Sequence, residues 1–278
     1  MSTYEDYAVA SRSYDLSRTP VGIEITLGCL AAGATPLDRQ RVLDAGCGTG
    51  NYAAPLADRV ARVDGVDASE AMLGRAREKL ADALDHGRAS LVRASLYGLP
   101  FADASFDGVM VNQVLHHLGD GADDGWSRHR RVVAELARVL RPGGSLCVNT
   151  CSARQVREGY WYFRLIPDAA ERLAARYLPA EALEELLGEV GISVRGRHVP
   201  VRGALQGEAL LDGTGPLRQE WRDADSTWAL ATDEELDRAI ASVRRMADAG
   251  ELEEFVAEND RPRRDLGQVT VVHGVVDG

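Results

Sequence analysis

The sequence predicts a doubly wound α/β fold on a mostly parallel sheet, and three observations carry that prediction. Short β-rich runs alternate with helix-patterned stretches through the first half of the chain. The first of these runs passes straight into a glycine-rich turn, the junction at which such folds bring bare backbone against a ligand. The chain is also long enough, since 278 residues with 45% hydrophobic side chains can bury a sizeable core without staples.

Taken in order, strands are predicted at 41–45, 61–67, 89–93, 106–113, 145–150, 192–199 and 268–276, seven in all. Between them, 68–84 carries Met72, Ala76, Leu80 and Leu84 at helical spacing behind a cap at Ser69. The stretch 126–140 repeats the pattern with Val132, Val133, Leu136, Val139 and Leu140, and right-handed crossovers put such helices on both faces of the sheet. Leu140-Arg141-Pro142-Gly143-Gly144 should end that helix and turn tightly into the next strand, because proline stops a helix and glycine permits the reversal. After Cys151 come an aromatic cluster, Tyr160, Trp161, Tyr162 and Phe163, a helical stretch through Tyr177 and another over 179–190. Residues 200–267, with a helix at 233–249, interrupt the approach to the last strand. They are expected either to cap a ligand site or to form a second packing layer, which periodicity does not separate. The chain divides accordingly into a leading helical segment (1–40), a ligand-binding core (41–152) and a remainder (153–278) that completes the sheet and carries the insertion.

Charge and cysteine usage narrow the function classes. With 32 Lys and Arg against 43 Asp and Glu, a net charge of −11 gives an average surface field that repels phosphate polymers, so no nucleic-acid partner is expected. Arg128, Arg130 and Arg131, and Arg261, Arg263 and Arg264, read as solvated faces. Cys29, Cys47, Cys147 and Cys151 form no CxxC pair and show no zinc-finger spacing, which fits a reduced, cytoplasmic setting without a metal. Residues 1–14 lack the pattern of a signal peptide, and no apolar run approaches the roughly 20 residues that span a bilayer, so no membrane partner is expected.

The chemistry gathers at Val42-Leu43-Asp44-Ala45-Gly46-Cys47-Gly48-Thr49-Gly50, a strand entering a glycine turn. A dinucleotide fingerprint wants glycines at its first, third and sixth places; the sixth is Asn51, so a nicotinamide-dependent oxidoreductase is disfavoured. What remains suits a ligand without pyrophosphate but with a cationic amine for Asp44 to satisfy.

Over residues 42–150 the sequence resembles the class I S-adenosylmethionine-dependent methyltransferases, particularly the branch with ubiquinone-biosynthesis and natural-product enzymes. The resemblance implies a Rossmann-like seven-stranded sheet with an antiparallel C-terminal strand, and S-adenosylmethionine as cofactor. It implies that Asp44 helps hold the methionine amine while Gly46, Cys47, Gly48 and Gly50 let the backbone approach. In Val63-Asp64-Gly65-Val66-Asp67-Ala68-Ser69, Asp67 can accept from both ribose hydroxyls, with Ala68 beside it; Met72 is at the adenine or in the core. In Arg93-Ala94-Ser95-Leu96-Tyr97, Ser95 stands where the family more often has Asp at the adenine amine, and Leu96 lends an amide and an apolar wall. Asn112 and Gln113 end the fourth strand near the methionine amine, where metal-dependent relatives would offer carboxylates, so no metal is expected. His116 or His117 is a candidate general base, since an imidazole titrates near neutral pH.

In the leading segment, a helix would put Tyr4, Tyr7 and Tyr14 near one face, and the resemblance makes Tyr7 and Tyr14 candidates for a lid over the sulfonium. The acceptor pocket is expected to draw on Tyr7, on Tyr160, Trp161, Tyr162 and Phe163, and on the insertion around Trp221 and Trp228. The function expected is methyl transfer to a small molecule of secondary metabolism, at carbon, nitrogen or oxygen, with a homodimer left open. The competing class is a protein that binds the cofactor without methylating, as a sensor or a sulfonium-assisted cyclase.

Overall fold

The computed structural model describes residues 18–119 and 125–278, and every absence below refers to these. Seven strands form one sheet: β1 Arg41–Ala45, β2 Arg62–Asp67, β3 Ala89–Arg93, β4 Phe106–Asn112, β5 Leu140–Thr150, β6 Ile192–His198 and β7 Thr270–Val276. Their order is β3-β2-β1-β4-β5-β7-β6. The first five strands pair in parallel, and β7 runs antiparallel to both β5 and β6. The strand order therefore reverses between β1 and β4, and the crevice at their carboxyl ends is where open α/β sheets bind ligands.

The helices are α1 Ile23–Ala31, α2 Ala53–Leu56, α3 Glu70–Lys79, α4 Ala81–Asp85, α5 Ser127–Val139, α6 Ala153–Glu158, α7 Pro167–Ala174, α8 Ala180–Glu189, α9 Gln219–Asp223, α10 Asp233–Ala249, α11 Leu252–Asp260 and α12 Arg263–Leu266. Alternation along the strands sends successive side chains to opposite faces. Leu43, Val109, Val111 and Leu146 meet Val132, Val133 and Leu136 of α5 and Leu183 and Leu187 of α8. Val42, Met110 and Cys147 face the other way, against Leu27 and Leu30 of α1 and Leu56 of α2. A third cluster lies beside the sheet, where Tyr160 to Phe163 and α7 pack against Trp221, Trp228, Val243 of α10 and Val256 of α11. No helix is long and apolar enough to cross a membrane.

Two local expectations are corrected. The helix over 68–84 breaks at Leu80 (φ −99°, ψ 12°) into α3 and α4, a bend that buries Leu80 and Ala83 against the sheet. The 140–144 segment is not a plain turn but the start of β5: Leu140 pairs with Phe106, the register shifts, and pairing resumes at Ser145 with Gly108. Pro142 has no N–H for the ladder and Gly143 takes φ 74°, so the irregularity falls on those residues.

Candidate active site

A cavity of about 730 Å³ opens over the reversal point between β1 and β4. One half is built by the glycine turn. Gly46 and Cys47 N–H both donate to the Val66 carbonyl, at 2.8 and 2.9 Å, which ties the turn to β2. Gly46, Gly48 and Gly50 take φ of 81°, 53° and 79°, the left-handed region that side chains disfavour. A Cβ on Gly46 would stand 2.5 Å from Val114, whereas one on Gly48 would meet nothing within 4 Å and would enter the cavity.

Asp44, next to last in β1, is fully buried beneath this turn. Asn112 donates to its Oδ1 at 3.4 Å, while its Oδ2 is buried without a hydrogen-bond partner. Burial, with Asp67 nearby, pushes its pKa up to about 7 despite the Asn112 bond. A buried carboxylate oxygen with nothing to accept from costs free energy until a donor reaches it. Asp67, at the end of β2, accepts from Gly48 N–H at 2.9 Å and Ser69 N–H at 2.8 Å, leaving further lone pairs toward the cavity. Burial raises its pKa against those amide bonds. Asn51, where a dinucleotide site needs glycine, instead donates to the Arg18 carbonyl and accepts from Lys79.

The cavity wall brings together Asp44, Gly46, Cys47, Gly48, Asp67 and Ala68, all expected from sequence. Met72, Ser95, Leu96, Asn112 and Gln113 join them. Gly50 lies one step behind, its N–H bonded to the Cys47 carbonyl at 2.9 Å. Gln113 takes φ 55°, strain held in place because its N–H and Nε2 bond Asn149 and its Oε1 accepts from Tyr177 at 2.9 Å. Tyr7 and Tyr14 lie outside the described residues.

The other half of the cavity is more apolar. His116 and His117 both line it, their rings 4.0 Å apart, and His116 stacks on Tyr177 with centroids at 4.5 Å. His116 Nδ1 is buried without a partner. Neither ring titrates near neutrality as expected from sequence: burial, then neighbouring cationic groups, depress His116 well below its usual range and take His117 to about 3. Both are therefore neutral imidazoles at pH 7, acceptors of hydrogen bonds but weak bases.

Of the expected aromatic residues, Tyr160 and Phe163 line the cavity and stack at 4.6 Å. Trp161, Tyr162, Trp221 and Trp228 do not. Trp161 is fully buried with its Nε1 on the Leu210 carbonyl, and Trp228 lies flat against Tyr162, so both pack the insertion onto the sheet. The sequence reading missed Arg18, Tyr177, Leu205 and Asp225, which line the cavity from far-apart parts of the chain. Arg18 lies 3.5 Å from Asp225. Burial alone would raise the Asp225 pKa, but the Arg18 charge and the bonds from Tyr162 and Thr227 hold it below the ordinary range. Only the Arg18 charge, beside an aromatic stripe, was a signal along the chain.

A sheet in this order with β7 alone reversed, and a cavity over its reversal point, define the class I methyltransferase fold. Residues 43–148 match the methyltransferase domain model. A probable S-adenosylmethionine-dependent methyltransferase of Mycolicibacterium smegmatis is 34% identical over 208 residues, covering 73% of this chain and 71% of that one. The malonyl-[acyl-carrier protein] O-methyltransferase of Enterobacter lignolyticus is 35% identical over 177 residues, 63% of this chain and 64% of its own. Among solved structures, a putative methyltransferase from an antibiotic biosynthesis pathway of Anabaena variabilis superposes with a TM-score of 0.71 at 21% identity, over 92% and 98% of the two chains. The chain belongs to the S-adenosylmethionine-dependent methyltransferases, and S-adenosylmethionine is its cofactor.

Proposed function

We propose that the chain methylates a hydroxyl oxygen of a small, flat, largely apolar acceptor, a secondary metabolite, by in-line displacement. The observation that carries this reading is the continuity of one cavity from the unpartnered Asp44 Oδ2 to the unpartnered His116 Nδ1. The first suits the cationic amine of the cofactor, the second a hydroxyl donor. That the Enterobacter lignolyticus relative is an O-methyltransferase supports oxygen as the acceptor atom.

Bound cofactor supplies an activated methyl group on a sulfonium. In this reading Asp44 and Asn112 hold its amine end, Gly46, Cys47, Gly48 and Gly50 offer backbone, and Asp67 accepts from ribose hydroxyls. Ala68, Met72 and Leu96 flank the base and Ser95 meets its amine, while Gln113, strained and clamped by Tyr177, sets the edge of the acceptor space. The stretch carrying Tyr7 and Tyr14 would act as a lid, whereas α1, within the same leading segment, packs on the sheet; 41–152 would serve as the cofactor core and 200–267 as a cap that reaches the cavity with Leu205 and Asp225.

Tyr160, Phe163 and Tyr177 would hold the acceptor flat, and His116 Nδ1 would orient its hydroxyl. As the methyl–oxygen bond forms, the hydroxyl proton becomes far more acidic than an imidazolium. Even a weakly basic His116 can then take it and pass it to solvent. Orientation supplies most of the acceleration, since well-placed reactants gain on the order of 7 to 11 kcal/mol while a general base contributes roughly 100- to 10,000-fold. No nucleic acid takes part, and a reducing cytoplasmic setting agrees with four buried free cysteines.

The test is methyl transfer from labelled cofactor across matched acceptors bearing hydroxyl, amine or neither. Label on the hydroxylated set is the expected result. Cofactor binding with no transfer to any member would favour the sensor or cyclase reading, and transfer only to amines would overturn the choice of oxygen.

A further inference from the structure

On the face of the sheet covered by α1, away from the cavity, three side chains from three elements converge. They are Cys29 near the end of α1, His198 at the end of β6 and His273 in the middle of β7, and their donor atoms all lie within 4.8 Å of one another. The sheet explains the meeting. His273 pairs with Cys147 on one side and with Gly196 on the other, and the register irregularity between Val194 and Gly196 falls beside it. His198 lies two residues beyond Gly196 and so on the same face. Its Nε2 stands 3.6 Å from where a Cβ on Gly196 would be, so the ring lies back over its own strand, with its centroid 6.5 Å from that of His273.

The immediate surroundings orient these groups as donors. Ser145 donates its hydroxyl hydrogen to the Cys29 carbonyl at 2.7 Å. The same oxygen is 3.0 Å from His273 Nε2. With its hydrogen spent on a carbonyl, the hydroxyl can only accept from the ring. That puts the proton on Nε2 and leaves the Nδ1 lone pair available, the arrangement by which hydroxyls and carbonyls orient metal-binding histidines. The Cys147 thiol, on the same face of the sheet, donates to the Thr26 carbonyl at 3.9 Å. Cys29 and His273 are buried while His198 is exposed, so an ion has a way in from solvent.

We propose that Cys29, His198 and His273 bind a zinc ion, with water in the fourth position, clasping α1 to the β6 edge of the sheet. One thiolate and two imidazoles are the borderline-soft set that zinc selects, whereas magnesium and calcium want oxygen ligands. Tetrahedral bonds of about 2.0–2.1 Å to nitrogen and about 2.3 Å to sulfur bring donors to roughly 3.5 Å apart, so the group must close by about 1 Å. The exposed His198 ring supplies that movement. Burial, then His198 and Arg195, hold His273 below its usual pKa and so keep its ring neutral. No spacing along the sequence signals the site, because its ligands stand at positions 29, 198 and 273.

The full chain, stripped with chelator, should take up one equivalent of Zn²⁺ by calorimetry. With Co²⁺ it should show a thiolate charge-transfer band and strong tetrahedral d–d absorption. His198→Ala, an exposed change that leaves the cavity untouched, should weaken Zn²⁺ binding at least tenfold while S-adenosylhomocysteine affinity stays at the wild-type value. Cys29→Ser should remove the charge-transfer band, with circular dichroism reporting that the variant is folded. Absence of the thiolate band in wild type, or wild-type Zn²⁺ affinity in His198→Ala, would overturn the proposal.

Discussion

The glycine-turn half of the cavity comes from short contiguous runs: Asp44 to Gly50, Asp67 to Met72, Ala94 to Tyr97 and Asn112 to Val114. The acceptor half takes Arg18, His116, Tyr160, Leu173, Leu205 and Asp225 from almost the whole length of the chain. The first is held by backbone hydrogen bonds to neighbouring strands, the second by side-chain stacking and a buried polar group around Asp225. A turn that must pass left-handed and close to a ligand restricts residue type at each step, and so leaves a readable pattern. A pocket assembled by packing asks only for shape and polarity at scattered positions.

Five experiments break or sharpen that contrast. The largest effect should come from Gly46→Ala. A left-handed alanine 2.5 Å from Val114 should cost about 2–4 kcal/mol in denaturant unfolding. Gly48→Ala is the paired control. With nothing within 4 Å of the new Cβ, it keeps most of the stability yet should weaken S-adenosylhomocysteine at least tenfold, because the methyl stands where ligand belongs. Equal behaviour of the two would mean that the turn is structural only.

Asp67→Ala comes next, with S-adenosylhomocysteine affinity lowered by about 1–3 kcal/mol in calorimetry. Unchanged affinity would remove ribose binding from this residue. The third concerns pH. Burial lifts Asp44 to about 7 in the free protein, and a cationic amine stabilises its ionised form, so binding must expel a proton below that pH. Affinity should fall about tenfold per unit as pH drops below about 7, and Asp44→Asn should flatten that slope. A pH-independent wild type would separate Asp44 from the amine.

The smallest effect is expected at His116. Loss of one orienting hydrogen bond in His116→Ala should lower kcat/KM by about 0.5–1.5 kcal/mol, with cofactor affinity unchanged. The histidines should also shape acid stability. Both are held neutral by burial below the ordinary histidine pKa of about 6.5, so the stability this contributes is complete above that pH and is lost as pH falls toward the folded values. Replacing His117, whose folded pKa is about 3, should therefore flatten the decline in melting temperature between pH 6.5 and 4.

Much of the fold could be read from the chain. β1 and β3 begin and end where period and punctuation put them, because apolar alternation and flanking turns act locally. Leu80 and the 140–144 bulge could not be read so, since each depends on which neighbour the segment packs or pairs with. The same limit divides the site. Asp44 and the glycines announce themselves together, whereas Trp161 and Trp228 share composition with Tyr160 and only packing decides which ring reaches the cavity. Tyr177 and Asp225 had no local signature at all.

The central claim is that the turn at Gly46 to Gly50 receives an adenosyl sulfonium through a carboxylate waiting beneath it. Calorimetric titration of the purified chain with S-adenosylhomocysteine, beside NADH, tests it most directly. One site for S-adenosylhomocysteine and no heat from NADH is the predicted result; binding of NADH alone, or of neither, contradicts the account.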